Sequence, residues 1–423
     1  MANLGDYVEI HLMKIIYEGV LLEVPKSEKG VVLLKLDKGY NIGFNKKDIT
    51  EIKVLKKSKE IKIEDKIKSD SKKSNIAMII TGGTIAARLN PRKGGVDWLD
   101  TPDSLFKYYP GLFEKVNVVK VEVPFMKGSE SMNSKDWKKI AKIAEKLLNN
   151  SNIKGVIITH GTDTLHYTAS ALSFFLGKSN KPVVLTYSQR SIDRASSDAN
   201  LNLQCSALAA ISDIAEVMVV GHSSTNDNFC YAMPGTKVRK LHSSRRDAFK
   251  VVNAQPFAKI SNETIERISD YNIRNKGKVK VDVSFEDKVA LVKFYPGQDP
   301  SILDYYLKNK YKGIIIEMLG LGQVATKESS KSWTKKLKEV IDKGLIVCAT
   351  AQTIYGRLNP YVYSNGREIL ETGVIYLDDM LSETAYTKLS WVLGHQNWAS
   401  SKQKVREKML ENFSHEFNDR LEK

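Results

Sequence analysis

The chain has 423 residues, of which 42% are hydrophobic and 27% charged, and its formal net charge is +16. These values lie in the globular range and exclude a wholly disordered, fibrous or collagen-like protein. Three widely spaced cysteines argue against a disulfide framework or a zinc cage. The sequence contains no apolar run of the roughly 20 residues that span a bilayer, and no secretory signal pattern. We therefore expect a cytoplasmic protein of two or three domains without membrane contact.

The excess of positive charge favours attraction to polyanions, of which nucleic acid is the most common. Composition alone is explained more simply by a lysine-rich surface without a special function. The charge therefore supports an RNA partner only where another feature of the chain also indicates one.

Residues 1–55 consist of short alternating hydrophobic runs separated by turn signals. They predict five strands, at residues 6–12, 15–24, 31–36, 40–44 and 49–55. Five short strands suit a small β-barrel of the SH3 or Tudor type, which leaves few exposed strand edges. Such a module has little interior for an active site, so we expect it to dock a partner or to contact RNA.

Residues 56–74 contain eight lysines and four acidic residues but no aromatic residue. This composition predicts a solvated linker between the small module and the rest of the chain. The alternative is a basic strap that binds RNA.

From residue 75 the pattern changes to strands that alternate with helices, which predicts open, mostly parallel sheets. A polar stretch at residues 264–278 divides this body into a first domain, 75–270, and a second domain, 280–423. The predicted strands are 76–80, 156–159, 183–186, 217–220, 289–294, 313–318 and 345–350, and the predicted helices are 134–148, 165–176, 196–211, 331–343 and 382–393. The expected fold class is α/β, with a small β-barrel ahead of a two-domain α/β body.

Two turns rich in hydroxyl groups follow predicted strands of the first domain. The first turn (residues 81–86) reads Thr-Gly-Gly-Thr-Ile-Ala, and the second turn (residues 159–164) reads Thr-His-Gly-Thr-Asp-Thr. Glycines let the backbone approach a small ligand closely and leave amides free to bind an oxyanion, whereas the threonines of the second turn could merely cap a helix. Ligands of doubly wound sheets bind beyond the carboxyl ends of the strands, so two such turns together predict an active site.

The two turns resemble the signature segments of the L-asparaginase/glutaminase amidohydrolase family, and the similarity extends from residue 75 to about residue 394. The resemblance implies that Thr84 is the acyl-accepting nucleophile and that Thr162 and Asp163 form a second threonine with its carboxylate. Lys240 lies where the family's lysine completes the relay. Which of the two threonines attacks first stays open.

The same resemblance implies a set of substrate-binding residues. The segment 129–133 is similar to the loop that grips the α-carboxylate and α-amine of the substrate, which assigns Ser129 and Glu130 to that role. Asp163 shares the contact with the amine, and Gly83 provides the close backbone approach.

These residue types fit an acyl-transfer reaction. A neutral threonine hydroxyl needs a base before it can act as a nucleophile. A lysine can serve as that base if its pKa is lowered, and an adjacent carboxylate can orient it. This chemistry requires neither a metal nor an organic cofactor.

Three other features are weaker candidates. His160 invites a Ser-His-Asp interpretation, but its place at a strand end before a glycine favours packing or a backbone hydrogen bond. Residues 320–325 mimic the dinucleotide fingerprint G-x-G-x-x-A, but they come late in the chain and no acidic strand end follows. The sequence contains no G-x-x-x-x-G-K-[ST] phosphate loop. We therefore set nucleotide binding by this chain aside.

The lid of the resembled family differs here. Family members commonly carry a tyrosine on a mobile lid after the first threonine, whereas residues 88–98 contain Trp98 as their single aromatic residue. Tryptophan has no hydroxyl, so a helper to Thr84 is missing or is supplied from elsewhere in the protein.

About 74 residues precede the first strand of the α/β body, an arrangement similar to the family of D subunits of archaeal glutamyl-tRNA(Gln) amidotransferases. The resemblance implies a homodimer that releases ammonia from glutamine, joined by an E subunit into a heterotetramer. The E subunit would use ATP and Mg²⁺ to activate Glu-tRNA(Gln), which explains why this chain needs no phosphate loop. The positive charge then has a plausible partner in tRNA.

Two alternatives remain at this point. A stand-alone cytosolic asparaginase with an accessory N-terminal domain predicts vigorous hydrolysis of free asparagine. A non-catalytic dimeric scaffold, in which the basic barrel binds RNA, is disfavoured by the intact set of Thr84, Thr162, Asp163 and Lys240.

Overall fold

A computed structural model of the chain describes residues 2–24, 30–36, 41–57, 70–90, 95–98, 110–192, 194 and 196–419. The N-terminal unit is an antiparallel sheet with the strand order β4-β3-β2-β1-β5. Its strands are β1 (Tyr7–Leu12), β2 (Ile16–Leu22), β3 (Val31–Lys35), β4 (Asn41–Asn45) and β5 (Ile49–Lys56), and a 3₁₀ turn (Lys46–Asp48) precedes β5.

This order is a four-strand meander in which the fifth strand returns beside the first. Alternate residues point to one side of the sheet, where Val8, Ile10, Leu34 and Phe44 form a small apolar core. The prediction of a β-rich N-terminal module is confirmed, and its strand bounds differ by one or two residues. Closure into a barrel stays a prediction, because β4 and β5 are the two ends of the sheet in the described ranges. Most of the predicted lysine-rich linker, residues 58–69, lies outside the described residues.

The second unit is built on an eight-stranded sheet with the order β17-β16-β13-β12-β11-β10-β6-β9. Its parallel strands are β6 (Asn75–Ile80), β9 (Asn117–Glu122), β10 (Val156–Thr159), β11 (Val183–Thr186) and β12 (Val217–His222). Its antiparallel strands are β13 (Cys230–Pro234), β16 (Ala258–Ile260) and β17 (Ile265–Arg267). Two hairpins accompany it, β7 (Ala87–Asn90) with β8 (Gly95–Trp98), and β14 (Val238–Lys240) with β15 (Phe249–Val251).

The helices of this unit are α1 (Pro110–Lys115), α2 (Ser134–Leu148), α3 (Leu165–Leu176) and α4 (Ala199–Ile211). Helix α2 begins where the sequence predicts because Asn133 and Asp136 form a capping box: each side chain accepts a backbone N–H at the start of the helix. The parallel part of the sheet is confirmed. The antiparallel strands that extend it were not predicted, because two of them are three residues long and carry no clear hydrophobic pattern.

The third unit is a four-stranded parallel sheet with the order β18-β19-β20-β21. Its strands are β18 (Val289–Lys293), β19 (Gly313–Met318), β20 (Ile346–Ala351) and β21 (Ile375–Tyr376), and its helices are α5 (Ile302–Lys308), α6 (Thr334–Asp342), α7 (Ser364–Glu371), α8 (Ser382–Leu393) and α9 (Lys402–Leu410).

Helices α3 and α8 join the two α/β units. They contribute to one continuous apolar core, in which Phe174 stacks on Trp391 with ring centroids 5.5 Å apart. Full burial of an aromatic side chain of this kind stabilises the fold by about 1.5–3 kcal/mol. The starts of the two helices also lie together, with His166 of α3 3.8 Å from Glu383 of α8, close to the carboxyl end of the first sheet's parallel strands, where the candidate site lies.

Candidate active site

The structure places the two predicted turns side by side. Strands β6 and β10 are parallel neighbours, with Ile80 opposite Thr159. The Thr81 hydroxyl donates a hydrogen bond of 2.8 Å to the carbonyl oxygen of Thr159, and both groups are buried. The end of one strand is therefore fastened to the end of the other, and the residues that follow share one edge of the sheet.

Gly83 makes this approach possible. Its φ angle is +86°, and a Cβ atom added there would lie 2.4 Å from the backbone nitrogen of Gly161. Any other residue would meet both a disfavoured backbone conformation and a collision with the backbone of the second turn. The glycine that the sequence assigns to a close approach thus approaches the neighbouring turn, and its role toward substrate stays a prediction.

Lys240 connects to the second turn by two hydrogen bonds. Its Nζ atom donates to Thr162 Oγ1 and to Asp163 Oδ1, each at 2.8 Å. The three residues come from different elements, β14 and the loop between β10 and α3, and their sequence separation of 77 to 78 residues is bridged only by the fold. The geometry is that of a hydroxyl, an amine and a carboxylate arranged as a relay.

Burial differs sharply along this relay. The side chain of Lys240 is 10% exposed, whereas that of Asp163 is 64% exposed. The amine therefore sits at the base of the site, while the carboxylate faces solvent, where a substrate amine could meet it. Whether Lys240 takes a proton from Thr162, as a general base would, stays a prediction.

Ser129 lies directly behind the second turn. Its hydroxyl oxygen accepts a hydrogen bond from the backbone N–H of Asp163 at 3.1 Å, and its carbonyl oxygen accepts one from the Thr164 hydroxyl at 2.7 Å. Ser129 is buried, whereas Glu130 is exposed, with its carboxylate folded over Gly128. The segment 129–133 is therefore part of the same site, and the assigned contacts of Ser129 and Glu130 with substrate stay predictions.

Thr84 is half-buried and opens a 3₁₀ turn (Thr84–Ala86) after the paired glycines. The hydrogen bonds of Lys240 to Thr162 and Asp163 do not include it. The structure thus brings Thr84 to the edge that carries the relay, in the turn that follows the neighbouring strand β6, without joining it to Lys240.

His160 has a structural role. Its Nδ1 atom lies 2.7 Å from the carbonyl oxygen of Gly161, and its Nε2 atom lies 2.8 Å from the Thr168 hydroxyl. A neutral ring satisfies both contacts, because Nδ1–H donates to the carbonyl and Nε2 accepts from the hydroxyl. Burial lowers the pKa of His160 to about 4, which keeps the ring neutral near pH 7.

Three residues beside the relay were not found by sequence reasoning. Arg239 pairs with Glu383 through Nε and Oε1 at 3.1 Å, and His166 Nε2 lies 3.8 Å from the same carboxylate oxygen. Burial is the main cause that lowers the pKa of His166 to about 3, and the positive charges of Arg239 and Lys240 add to it. Arg239 could have been suspected from its place next to Lys240, but nothing in the sequence links Glu383 to either residue.

The glycine turn at residues 320–325 does not have the context of a dinucleotide site. After β19 the chain forms a tight turn closed by a bridge between Leu319 and Gln323, and the next helix, α6, begins only at Thr334. A Cβ atom at Gly322 would lie 2.4 Å from the ring of Tyr376. The glycine therefore serves packing, and the absence of nucleotide binding by this chain stays a prediction.

The lid segment forms the hairpin of β7 and β8, with Ala87 opposite Trp98 in the backbone register. Residues 91–94 and the side chain of Trp98 lie outside the described part of the structure. The expectation that the lid lacks a helper hydroxyl therefore stays a prediction.

The part of the chain that the structure describes contains no cluster of three or more His, Cys, Asp or Glu residues arranged to hold a metal ion. Within the same ranges, each helix is too short or too polar to cross a membrane.

Comparison with known families assigns three successive regions. Residues 2–55 match the family described as "GatD N-terminal domain", residues 75–271 match "Asparaginase, N-terminal", and residues 288–409 match "Glutaminase/Asparaginase C-terminal domain". These matches cover all three units of the structure.

Some relatives are similar to nearly the whole chain, whereas others are similar to a smaller part of it. The chain is 45% identical to the D subunit of glutamyl-tRNA(Gln) amidotransferase from Pyrococcus furiosus, over 98% of this chain and 94% of the relative. It is 43% identical to the equally named protein from Methanobrevibacter smithii, over 99% and 94%. It is also similar to the thermostable L-asparaginase from Thermococcus kodakarensis, with a TM-score of 0.72 and 27% identity, over 82% of this chain and 100% of that one. The amidotransferase relatives thus share nearly the full length of the chain.

Proposed function

This chain belongs to the family of D subunits of glutamyl-tRNA(Gln) amidotransferases, and we propose that it hydrolyses glutamine to glutamate and ammonia as the amidohydrolase component of such an enzyme. The observation that carries the proposal is the pair of 2.8 Å hydrogen bonds from Lys240 to Thr162 and Asp163. They assemble a hydroxyl nucleophile, a base and an orienting carboxylate at the carboxyl edge of a parallel sheet.

The proposed reaction is acyl transfer in two steps. A threonine hydroxyl of Thr84 or Thr162 attacks the carbon of the substrate carboxamide, and its proton passes to the unprotonated amine of Lys240. The carbon–nitrogen bond then breaks, and the departing nitrogen takes a proton and leaves as ammonia. Water attacks the resulting ester, which releases glutamate and restores the threonine.

The substrate contacts follow from the same site. Asp163 is the exposed carboxylate beside Lys240, and it suits the α-amine of the amino acid. Ser129 and Glu130, next to it, complete the grip on the α-amino and α-carboxyl groups. The turn around Gly83 contributes backbone N–H groups to the developing oxyanion, where loss of one donor typically costs about 100- to 1000-fold in rate.

Partners complete the proposal. The E subunit uses ATP and Mg²⁺ to activate Glu-tRNA(Gln) and consumes the ammonia, so this chain itself needs no cofactor. A cytoplasmic location follows from that use of charged tRNA. A homodimer joined by the E subunit into a heterotetramer is supported by the exposed apolar side chains of Ile354, Tyr355, Tyr361, Val362 and Tyr363, which lie in the loop after β20.

A stand-alone asparaginase is the second candidate function. It is favoured by the similarity of 82% of the chain to a solved L-asparaginase. The match of residues 2–55 to a separate family favours the amidotransferase role instead. A non-catalytic RNA-binding scaffold does not explain the two hydrogen bonds that Lys240 forms with Thr162 and Asp163.

Ammonia release by the purified full-length chain decides between these functions. Glutamine and asparagine are compared side by side, first with the chain alone and then with the E subunit, ATP and Glu-tRNA(Gln). The proposal predicts little turnover by the chain alone and glutamine hydrolysis in the complex. Fast hydrolysis of asparagine by the chain alone contradicts it and supports the stand-alone enzyme.

A further inference from the structure

The segment that carries Lys240 forms hydrogen bonds with residues of the C-terminal half of the chain. Thr236 donates through its hydroxyl to the carbonyl oxygen of Ser414, and its own carbonyl oxygen accepts from the Thr384 hydroxyl, both at 2.7 Å. Thr236 is fully buried. The strand β14, only three residues long, therefore begins from a point fixed by residues that lie more than a hundred positions later.

Lys237 provides a second anchor. Its Nζ atom donates to Asp379 Oδ2 at 2.7 Å and to the Asp379 carbonyl oxygen at 3.0 Å, and both side chains are fully buried. Asn418 donates to the same carboxylate at 2.9 Å. The lysine's charge is therefore satisfied within the C-terminal half.

Arg239 is the third anchor and the one nearest to the relay. Successive residues of a strand point to opposite faces, so Lys240 faces Thr162 and Asp163 while Arg239 faces the start of α8. There its Nε atom lies 3.1 Å from Glu383 Oε1, and the two side chains form an ion pair. A shift of this ion pair would turn the short strand and move the Lys240 amine.

The buried position of the Glu383 carboxylate is unfavourable for the stability of the fold. Its side chain is 9% exposed, and its Oε2 atom has no hydrogen-bond partner among the described residues, as is also true of His166 Nδ1 beside it. Burial raises the pKa of Glu383, which means that its charged form is disfavoured by the site. A buried pair of this kind often contributes less to stability than apolar residues of similar volume. The contact of this carboxylate with Arg239 therefore explains its presence better than a contribution to stability does.

We propose that Glu383 is a positioning residue for amide hydrolysis, because it holds Arg239 and so fixes the direction from which Lys240 reaches Thr162 and Asp163. The inference rests on the amidohydrolase function proposed above. Glu383 itself does not contact the relay. It acts through Arg239, and it makes the C-terminal α/β unit part of the catalytic apparatus.

The first test is Glu383→Gln in the full chain assembled with the E subunit, with glutamine hydrolysis as the readout. Glutamine keeps the volume of the side chain and removes its charge. We expect kcat to fall about ten-fold with KM unchanged, since small displacements of a catalytic group cost rate and leave substrate contacts intact. A change confined to KM, or a wild-type kcat, overturns the proposal.

The pH profile separates positioning from mere structure. Charged and titratable groups surround this ion pair and the relay on every side. They are Asp163 and His160 on the second turn, His166 and Tyr167 on α3, Arg239 on β14, Glu317 on β19 and Glu383 on α8. Without the Glu383 charge, the positive charge of Arg239 beside the relay is unneutralised, so the acidic limb of the kcat profile moves to lower pH. An unmoved limb contradicts the proposal.

A matched control comes from Glu216, whose side chain is also 9% exposed and bonds to Asn272 and His415 away from β14. Glu216→Gln removes an equally buried charge and is expected to leave kcat and the acidic limb unchanged. If Glu216→Gln lowers kcat as much as Glu383→Gln, the effect is general destabilisation and the proposal fails.

The variant Arg239→Met/Glu383→Met covers the case in which a single change unfolds the chain. It leaves no lone buried charge, so stability is expected to be kept or raised, while kcat is expected to fall about ten-fold as in Glu383→Gln. A stable double variant with wild-type kcat overturns the proposal. Wild-type enzyme in the same assay tests the proposed function itself. If the wild type does not hydrolyse glutamine, the proposed function and the role of Glu383 both fail. If the wild type is active and the Glu383 variants are unaffected, only the role of Glu383 fails.

Discussion

The parallel strands of the two sheets in the α/β body end in loops of very different character. At the carboxyl edge of the first sheet, the buried hydroxyls of Thr81 and Ser129 form hydrogen bonds, Thr81 with the carbonyl oxygen of Thr159, and only Asp163 of the relay is largely exposed. At the same edge of the second sheet, the loop after β20 exposes Tyr355 and its aromatic neighbours. The general rule that ligands bind at this edge is therefore insufficient. Polar groups that converge and are fixed by hydrogen bonds distinguish the site from the surface.

The largest effect is expected from replacing Lys240, the proposed general base at the first edge. Lys240→Met should lower kcat for glutamine in the assembled enzyme by about 1000-fold, since general-base catalysis contributes on the order of 10²–10⁴. Steady-state kinetics check this, with circular dichroism to establish folding. Lys259→Met, which changes a lysine paired with Glu266 on the far side of the sheet, is the control and should keep full activity. More than a tenth of wild-type activity in Lys240→Met would rule out the relay.

The second effect concerns the contact between the two turns. Gly83→Ala places a Cβ atom 2.4 Å from the Gly161 nitrogen, so the turns must separate, and kcat should fall about 100-fold. Gly177→Ala is the matched control, because that glycine also has positive φ but has nothing within 4 Å of the added atom. It should cost about 1–2 kcal/mol of stability and leave kcat unchanged. Equal kcat in the two variants would show that the close approach is unimportant.

The third prediction tests the second edge as a surface for association. Tyr361→Ser/Tyr363→Ser should raise the dimer Kd roughly 30-fold, because each truncated aromatic anchor costs about 1 kcal/mol of association free energy. Sedimentation velocity over a concentration series measures this. Tyr305→Ser removes an equally exposed tyrosine from α5 and should leave the Kd unchanged. An unaffected dimer in the double variant would place the interface elsewhere.

The fourth prediction concerns acid stability at the first edge. The lowered pKa of His160, about 4, means that the unfolded chain binds a proton that the folded chain does not between about pH 6.5 and pH 4. The free energy of unfolding should therefore fall as pH drops through this window, by about 1.4 kcal/mol per pH unit for this histidine. His160→Asn, whose amide can still donate to the Gly161 carbonyl oxygen, should show a shallower slope in urea unfolding.

His415 supplies the opposite sign in the same experiment. Its hydrogen bond to Glu216 raises its pKa, so its contribution to stability is present below about pH 6.5 and is lost as pH rises through the raised value. His415→Asn should therefore change the slope above pH 6.5 and leave the acid side as in wild type. If the free energy of unfolding of His160→Asn depends on pH below pH 6.5 as steeply as that of the wild type, the assignment of a neutral His160 ring is wrong.

The sequence predicts the local features of this fold well. Helices α2, α3 and α8 begin and end at the predicted residues, because their apolar stripes and end signals are encoded within each segment. The two threonine turns could likewise be placed at one sheet edge, because consecutive parallel strands usually lie close together.

Features that depend on distant contacts could not be predicted in this way. The strand β16 owes its conformation to pairing with β13, and its own three residues carry little pattern. Lys240 was assigned through family resemblance, since nothing local distinguishes it from the other lysines. Glu383 could not be found at all, because its contact with Arg239 joins residues that are 144 positions apart.

The central claim is that a threonine at the first edge becomes acylated with help from Lys240. Its most direct test is mass spectrometry of the assembled enzyme after incubation with an electrophilic diazo-ketone analogue of glutamine. The account predicts one covalent adduct per chain, mapped to Thr84 or Thr162, whose formation is slowed strongly in Lys240→Met. An adduct on another residue, or equal labelling of wild type and Lys240→Met, would contradict it.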